Sequence, residues 1–212
     1  ASIRSDADGL QISVHAIGDA AVRRTLDGYE AARIANGVRD SRHRIEHVEV
    51  LHPDDLPRFA DLGVIASMQP LHSPQGGLFP APPPGHILHE DQLALSFAWQ
   101  SIRNAGATLI FSTDWPVAPV EVMPSIKGAC VHRDLGRSWS DQHQSLHNAL
   151  AAYTRDGAFA EFNEQRKGRL KAGMLADIVV MSHDLQAMQL EDLDKAGAML
   201  TLCGGRITHR AA

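Results

Sequence analysis

Four times along the chain, a short apolar run of strand character is followed or preceded by residues at helical spacing. That alternation limits the possible folds more than any other feature. Residues 11–17 (QISVHAI) alternate as a short strand, and Gly18-Asp19 turns the chain, with Asp19 as the expected N-cap. Val22, Leu26, Tyr29 and Ala32 then recur at helical spacing until Gly37 ends the element. Residues 44–50 (RIEHVEV) repeat the strand; Pro53 suits the first turn of a helix with Leu56, Phe59 and Leu62 on its apolar face, and Gly63 stops it. Residues 64–69 (VIASMQ) predict a third strand. Leu95, Ala98, Trp99 and Ile102 predict the helix before a fourth, residues 107–113 (ATLIFST). Strands alternating with helices predict an α/β domain with a parallel sheet and right-handed crossovers.

The unit is interrupted once and then abandoned. Residues 70–85 hold six prolines and three glycines, which excludes regular structure and predicts a loop over one face, suited to a substrate-defining lid. After Pro116 the pattern changes, and Ser145 caps a helix running through Tyr153. Residues 176–182 (ADIVVMS) are strand-like, and residues 199–208 predict a hairpin turning at Gly204-Gly205. A β-rich tail after an α/β body predicts a small second domain.

Composition removes several function classes. A formal charge of −5 and a pI near 6.2 argue against a nucleic-acid footprint. No apolar run is long enough for a membrane span, and no leader pattern is present. The two cysteines, Cys130 and Cys203, make neither a metal-type pair nor a disulfide framework, so a cytoplasmic location is expected. There is no G-x-S-x-G elbow, and HAIGDAA lacks dinucleotide-binding glycine spacing.

Of the twelve histidines, His132, His143, His183 and His209 sit among polar residues and read as surface side chains. Three other polar residues share one structural location. His15 in VHAIGD, His47 in RIEHVE and Asp114 in FSTDWP each fall at the C-terminal end of an expected strand, where the loops of a barrel or parallel sheet build a site. Two imidazoles and a carboxylate are a sound donor set for a divalent metal with an open position for water. A histidine at a strand end is also commonly a hydrogen-bonded structural residue, and Asp114 before Trp115-Pro116 equally suits turn initiation. His72 and Trp115 are candidates for contact with substrate, each with a plain alternative as a solvated loop histidine and a packed indole. His86 and His89 flank the proline-rich loop. Glu46 and Glu49 are expected to face the helix layer or make structural hydrogen bonds, with Arg42 and Arg44 as surface charges or their partners.

The segments VHAIGDAAVRRTLDGYEAA, RHRIEHVEVLHPDDLPRFADLGVIASMQP, FSTDWPV and GRLKAGMLADIVVM resemble successive blocks of the metal-dependent amidohydrolase superfamily, in family order and across almost the whole chain. The match is to the branch called amidohydrolase family 3. The resemblance implies an α/β fold that is the C-terminal half of a (β/α)8 TIM-like barrel, strands 5 to 8, in residues 1–165. Residues 166–212 would supply the C-terminal β segment of a composite sandwich domain. It implies His15 as the metal ligand on the fifth strand and His47 on the sixth. Asp114 on the eighth would be both ligand and general base. The implied activity is hydrolysis of a carbon–nitrogen bond, amide or N-acyl but not peptide, in a small molecule. The cofactor would be one or two divalent ions, zinc by preference.

The family's first-strand His-x-His pair and its fourth-strand bridging lysine or acid have no counterpart among these residues. A complete barrel takes about 250 residues. Two expectations follow. The chain either self-associates through the open edges of its His15 and Asp114 strands, as a homo-oligomer, or is a fragment lacking its N-terminal half. The competing class is a catalytically incompetent fragment or degenerate relative that keeps the packing without a working centre.

Overall fold

The computed structural model describes residues 1–74, 76–78, 88–132 and 139–211. The chain opens with helix α1 (Ser2–Ala7). Strand β1 (Ser13–Ala16) leads into helix α2 (Asp19–Asn36), whose Val22, Leu26, Tyr29 and Ala32 are all buried as their spacing requires. The N-cap is Gly18; Asp19 is the first helical residue, where its carboxylate favours the helix N-terminus and accepts from the Ala20 amide at 2.7 Å. Strand β2 (Arg44–His47) stops three residues short of the expected end. His47 and Val48 take φ of 82° and 50°, a left-handed conformation that a strand cannot continue through and that is strained for a β-branched valine.

Pro53 begins a single 3-10 turn capped by the His52 side chain, and helix α3 (Leu56–Leu62) follows and ends on Gly63 at φ 65°. Strand β3 (Ile65–Met68) is buried at all four positions, as a central parallel strand should be. Helices α4 (Glu90–Leu93) and α5 (Trp99–Asn104) precede strand β4 (Leu109–Phe111). The chain continues through α6 (Val122–Cys130), α7 (Leu146–Tyr153) and α8 (Arg155–Ala160); Ser145 caps α7 by accepting from the Asn148 amide, as expected. Neither α6 nor α8 was legible beforehand, since α6 carries Pro124 and Gly128 and α8 carries Gly157.

The first four strands form one parallel sheet in the order β1-β2-β3-β4, so β1 and β4 are its edges. Strands β5 (Ile178–Met181), β6 (Ala198–Cys203) and β7 (Arg206–Arg210) form a separate antiparallel sheet, single-layered among the described residues. The architecture is thus mixed α/β with a parallel sheet and a β-rich tail. Both cysteines are free, Cys130 buried and Cys203 exposed. No helix among the described residues is long and apolar enough to cross a membrane. Half of the proline-rich loop, and His86 just beyond it, lie outside the described residues. His89 caps α4, its amide donating to the Gln92 side chain.

One core cluster joins sheet and helices, from Val22, Leu26, Ile45 and Phe59 to Met68, Trp99, Ile102 and Leu109. Two polar residues are set into its margins. Arg42, expected at the surface or with the nearby glutamates, is buried instead: its guanidinium lies over the Phe159 and Phe162 rings at 3.8 and 4.2 Å and bridges Asp40 and Glu164. A planar, weakly hydrated cation can stack and fork at once, and this ties the start of β2 to α8. Arg44 does pair with Glu46, at 2.7 Å.

The other is His43. Its Nδ1 accepts from the Ile12 amide at 3.1 Å, so its Nε2 carries the proton and donates to Asp6 at 3.1 Å. Burial pushes the imidazole below its ordinary pKa despite the pull of Asp6, and Arg39 adds to the lowering. For Asp6, burial raises the pKa, but hydrogen bonds from Asn36 and Arg39 and the charges of Arg39 and His43 outweigh it. Both groups are depressed in the folded state, so below about pH 6.5 the unfolded chain binds the extra proton and stability falls with pH. Protonation also takes the lone pair that holds Ile12. Stability from His43 is therefore full above pH 6.5 and is lost as pH falls through the lower folded value, with Asp6 following in the carboxylate range. Each extra proton bound by the unfolded chain steepens the loss by about 1.4 kcal/mol per pH unit. Urea unfolding midpoints between pH 7.5 and 5.5 should drop for the native chain and change less for His43→Gln; parallel slopes in the two proteins would contradict this assignment.

Candidate metal centre

The parallel strands end on one side of the sheet, and their C-terminal ends gather the polar residues singled out above. In the β1–β2 register His15 lies opposite Glu46 and Ala16 opposite His47. The His15 and His47 rings meet edge to face with centroids 4.5 Å apart. The His47 ring stacks on His72, centroids 5.9 Å apart and planes within 12°. His72 belongs to a 3-10 turn (Pro70–His72) that begins two residues after β3, so three consecutive strands deliver one imidazole each. Beyond β4, Asp114 brings Oδ2 to 3.8 Å from His72 Nε2.

The structure thus assembles His15, His47, His72 and Asp114 in one linked group, and adds a residue that sequence reasoning set aside. Glu49 Oε1 lies 3.6 Å from His72 Nδ1. One donor atom each of His47, Glu49 and His72 lies within 4.8 Å of the others. Sequence periodicity carried no signal for Glu49, because the left-handed backbone at His47 and Val48 ends the strand before it. Glu46, one residue earlier, behaves as expected, bonded to Ser13 and Arg44. Trp115 stands 68% exposed beside Asp114.

The backbone at the donors is unusual. His47 at φ 82° and Asp114 at φ 59° both adopt a conformation that costs roughly 1–3 kcal/mol for a residue other than glycine. Strain is kept where surrounding contacts hold a side chain in a required direction. Behind His72 the packing is tight. A Cβ at Gly76 would overlap the Pro70 carbonyl oxygen and the Leu71 backbone, so only glycine lets the chain fold back over the turn that carries this imidazole.

Whether these residues suit a cation can be judged from their own state. His47 is 7% exposed, and its Nδ1 is buried without a hydrogen-bond partner. A buried imidazole nitrogen left unsatisfied costs roughly 1–3 kcal/mol, which a metal ion would relieve. Nitrogen donors mixed with carboxylate oxygens suit zinc and its neighbours. The residues fit.

Comparison with known proteins adds an independent view. The family model described as amidohydrolase family matches residues 3–209. The Protein LONG AFTER FAR-RED 3 of Arabidopsis thaliana is 35% identical over 208 residues, 97% of this chain and 35% of its own length. The N-substituted formamide deformylase of Arthrobacter pascens is 26% identical, covering 86% of this chain and 33% of its own length. The crystal structure of an uncharacterized metal-dependent hydrolase from Pyrococcus furiosus superimposes with a TM-score of 0.64 at 28% identity, over 81% of this chain and 33% of that one. The chain spans about a third of the length of the proteins it matches.

Proposed function

This chain belongs to the amidohydrolase family, and on that premise we propose that its strand-end cluster is part of the metal centre of a hydrolase acting on amide or N-acyl carbon–nitrogen bonds. The observation that carries this reading is the convergence of His47, Glu49 and His72, flanked by His15 and Asp114, at the C-terminal edge of a parallel sheet. That edge is where barrel enzymes of this architecture place their chemistry. The four parallel strands fit strands 5 to 8 of a (β/α)8 barrel, with residues 166–212 as part of a sandwich domain. The unpaired outer edges of β1 and β4 would meet the remaining strands of a longer protein, or a second copy.

His15, His47 and Asp114 would hold a divalent ion, zinc being the simplest choice, with Glu49 and His72 supplying further donors. When bound, such an ion supplies Lewis acidity toward water and the scissile carbonyl. The remaining work falls to the chain. The Asp114 carboxylate, partly open to solvent, takes a proton from water and hands it to the leaving nitrogen. That role needs hydrogen-bond reach to both. His72, buried between Glu49 and Asp114, holds the Asp114 carboxylate in place. Trp115 offers an apolar wall at the mouth. The similarity to an N-substituted formamide deformylase supports a carbon–nitrogen substrate.

A second reading is a relative that keeps the packing of this cluster without a working metal centre. Metal content separates the two. Purified from zinc-supplemented medium, the intact gene product should carry metal at this centre, and His47→Ala should carry at least one equivalent less while keeping its circular dichroism. Equal metal in both proteins, or none in a folded native sample, would remove the proposal.

A further inference from the structure

A second cluster lies away from the strand ends, on the connection between α6 and α7. His132 stands two residues beyond the end of α6, and Asp141 and His143 lie just before α7. Asp141 Oδ1 sits 3.3 Å from His132 Nδ1 and 2.5 Å from His143 Nδ1. The two imidazole rings meet at 72° with centroids 5.9 Å apart. One donor atom from each residue lies within 4.8 Å of the other two.

The scaffold beneath explains why Asp141 and His143 are held facing outward. Residues 141–144 alternate, with Gln142 and Gln144 buried and Asp141 and His143 outward. Gln142 accepts from the Ser101 amide at 2.9 Å and donates to the Ser101 hydroxyl at 2.9 Å. The Gln144 amide donates to the Ala129 carbonyl at 2.8 Å, and its side chain donates to Gln100 at 3.1 Å. The His143 amide also donates to Asp141 Oδ1, at 3.2 Å. The segment is therefore pinned to α5 and α6 on one side while it presents its donors on the other. Much of the ordering cost that ligand side chains meet on binding is already met by the fold.

We propose that His132, Asp141 and His143 form a surface site for a borderline divalent cation such as Zn2+ or Ni2+, clasping the end of α6 to the start of α7. Two imidazoles and a carboxylate match the ligand preferences of these ions, and water completes the shell on the exposed side. The site differs from the strand-end cluster in residues, in elements and in exposure. Its role is structural: the ion ties the end of α6 to the start of α7 and stabilises the state in which the three donors are gathered.

The test uses His47→Ala as background, so that the strand-end centre does not mask the result. Ni2+ is titrated at pH 7.5 by calorimetry into this protein and into versions with His132→Ala or His143→Ala added. One equivalent should bind, and affinity should fall at least ~10- to 100-fold when either imidazole is removed, the loss typical for a supporting partner of a metal site. The same titrations in the native protein keep the measurement meaningful should His47→Ala prove unstable. There, the His143→Ala protein should take up one equivalent less than its parent. Because all three side chains are exposed, unfolding midpoints without metal should not change. Uptake unaffected by His132→Ala and His143→Ala, or no uptake attributable to them in either background, would overturn the site. Neither result bears on the strand-end centre.

Discussion

Asp114→Asn in the intact gene product should lower kcat by about 10²–10⁴-fold, the range supplied by a positioned general base, while KM moves little. Asparagine is the informative replacement for two structural reasons. It keeps the size of the side chain and an oxygen able to ligate, but accepts no proton at neutral pH. It also tolerates the left-handed backbone that position 114 adopts at φ 59°, where alanine would add strain of its own. Asp114→Ala should therefore cost both activity and stability, and Asp114→Asn activity alone. Trp115→Ala provides the contrast, raising KM with kcat nearly intact if the exposed indole walls the substrate. A kcat for Asp114→Asn within tenfold of native, at matched metal content, would take the base role away from this residue.

Much of the framework was readable because it rests on local rules. The buried face of α2 follows from Val22, Leu26, Tyr29 and Ala32; Gly63 stops α3; Ser145 caps α7. Strand placement was right, and strand ends were not. Nothing in RIEHVEV announces that the backbone turns left-handed at His47 and Val48, because that conformation is imposed by the surrounding packing rather than by propensity. The same holds for site membership. His15, His47 and Asp114 were singled out from their place at strand ends, and the structure brings them near one another. His72 was read as touching substrate, yet it stacks on His47 and lies between two carboxylates, a relation set by the turn after β3. Glu49 was grouped with Glu46, although the backbone turn between them brings Glu49 to His72 while Glu46 stays on the strand and pairs with Arg44. Arg42 shows the limit most plainly: apart from its neighbour Asp40, its partners come from α8 and the residues beyond it, more than a hundred positions away. Long-range partners of this kind leave no periodicity to read.

The second large effect expected is on stability, and it also reaches the site. Trp99→Ala should destabilise the fold by about 3–5 kcal/mol, the cost of emptying a closed aromatic site. In a domain of this size that lowers the thermal midpoint by roughly 6–20 °C. Trp99 is fully buried at the start of α5, meeting Phe97 at 6.2 Å and Phe111 at 5.6 Å, and Phe111 in turn meets Tyr153 at 5.9 Å. The chain of rings thus runs from α5 through β4 to α7, and a void there has few neighbours free to collapse into it. Trp99→Phe should cost much less. The indole Nε1 is buried without a hydrogen-bond partner, so losing it removes a desolvated donor worth roughly 1–3 kcal/mol and offsets part of the lost volume. Phe111 ends β4 three residues before Asp114, so the alanine variant should also loosen the segment that carries the proposed base. Thermal unfolding of the two variants by circular dichroism reads the order directly. If Trp99→Phe costs as much as Trp99→Ala, the indole nitrogen has a partner and the ring packing is not the main source of stability at this position.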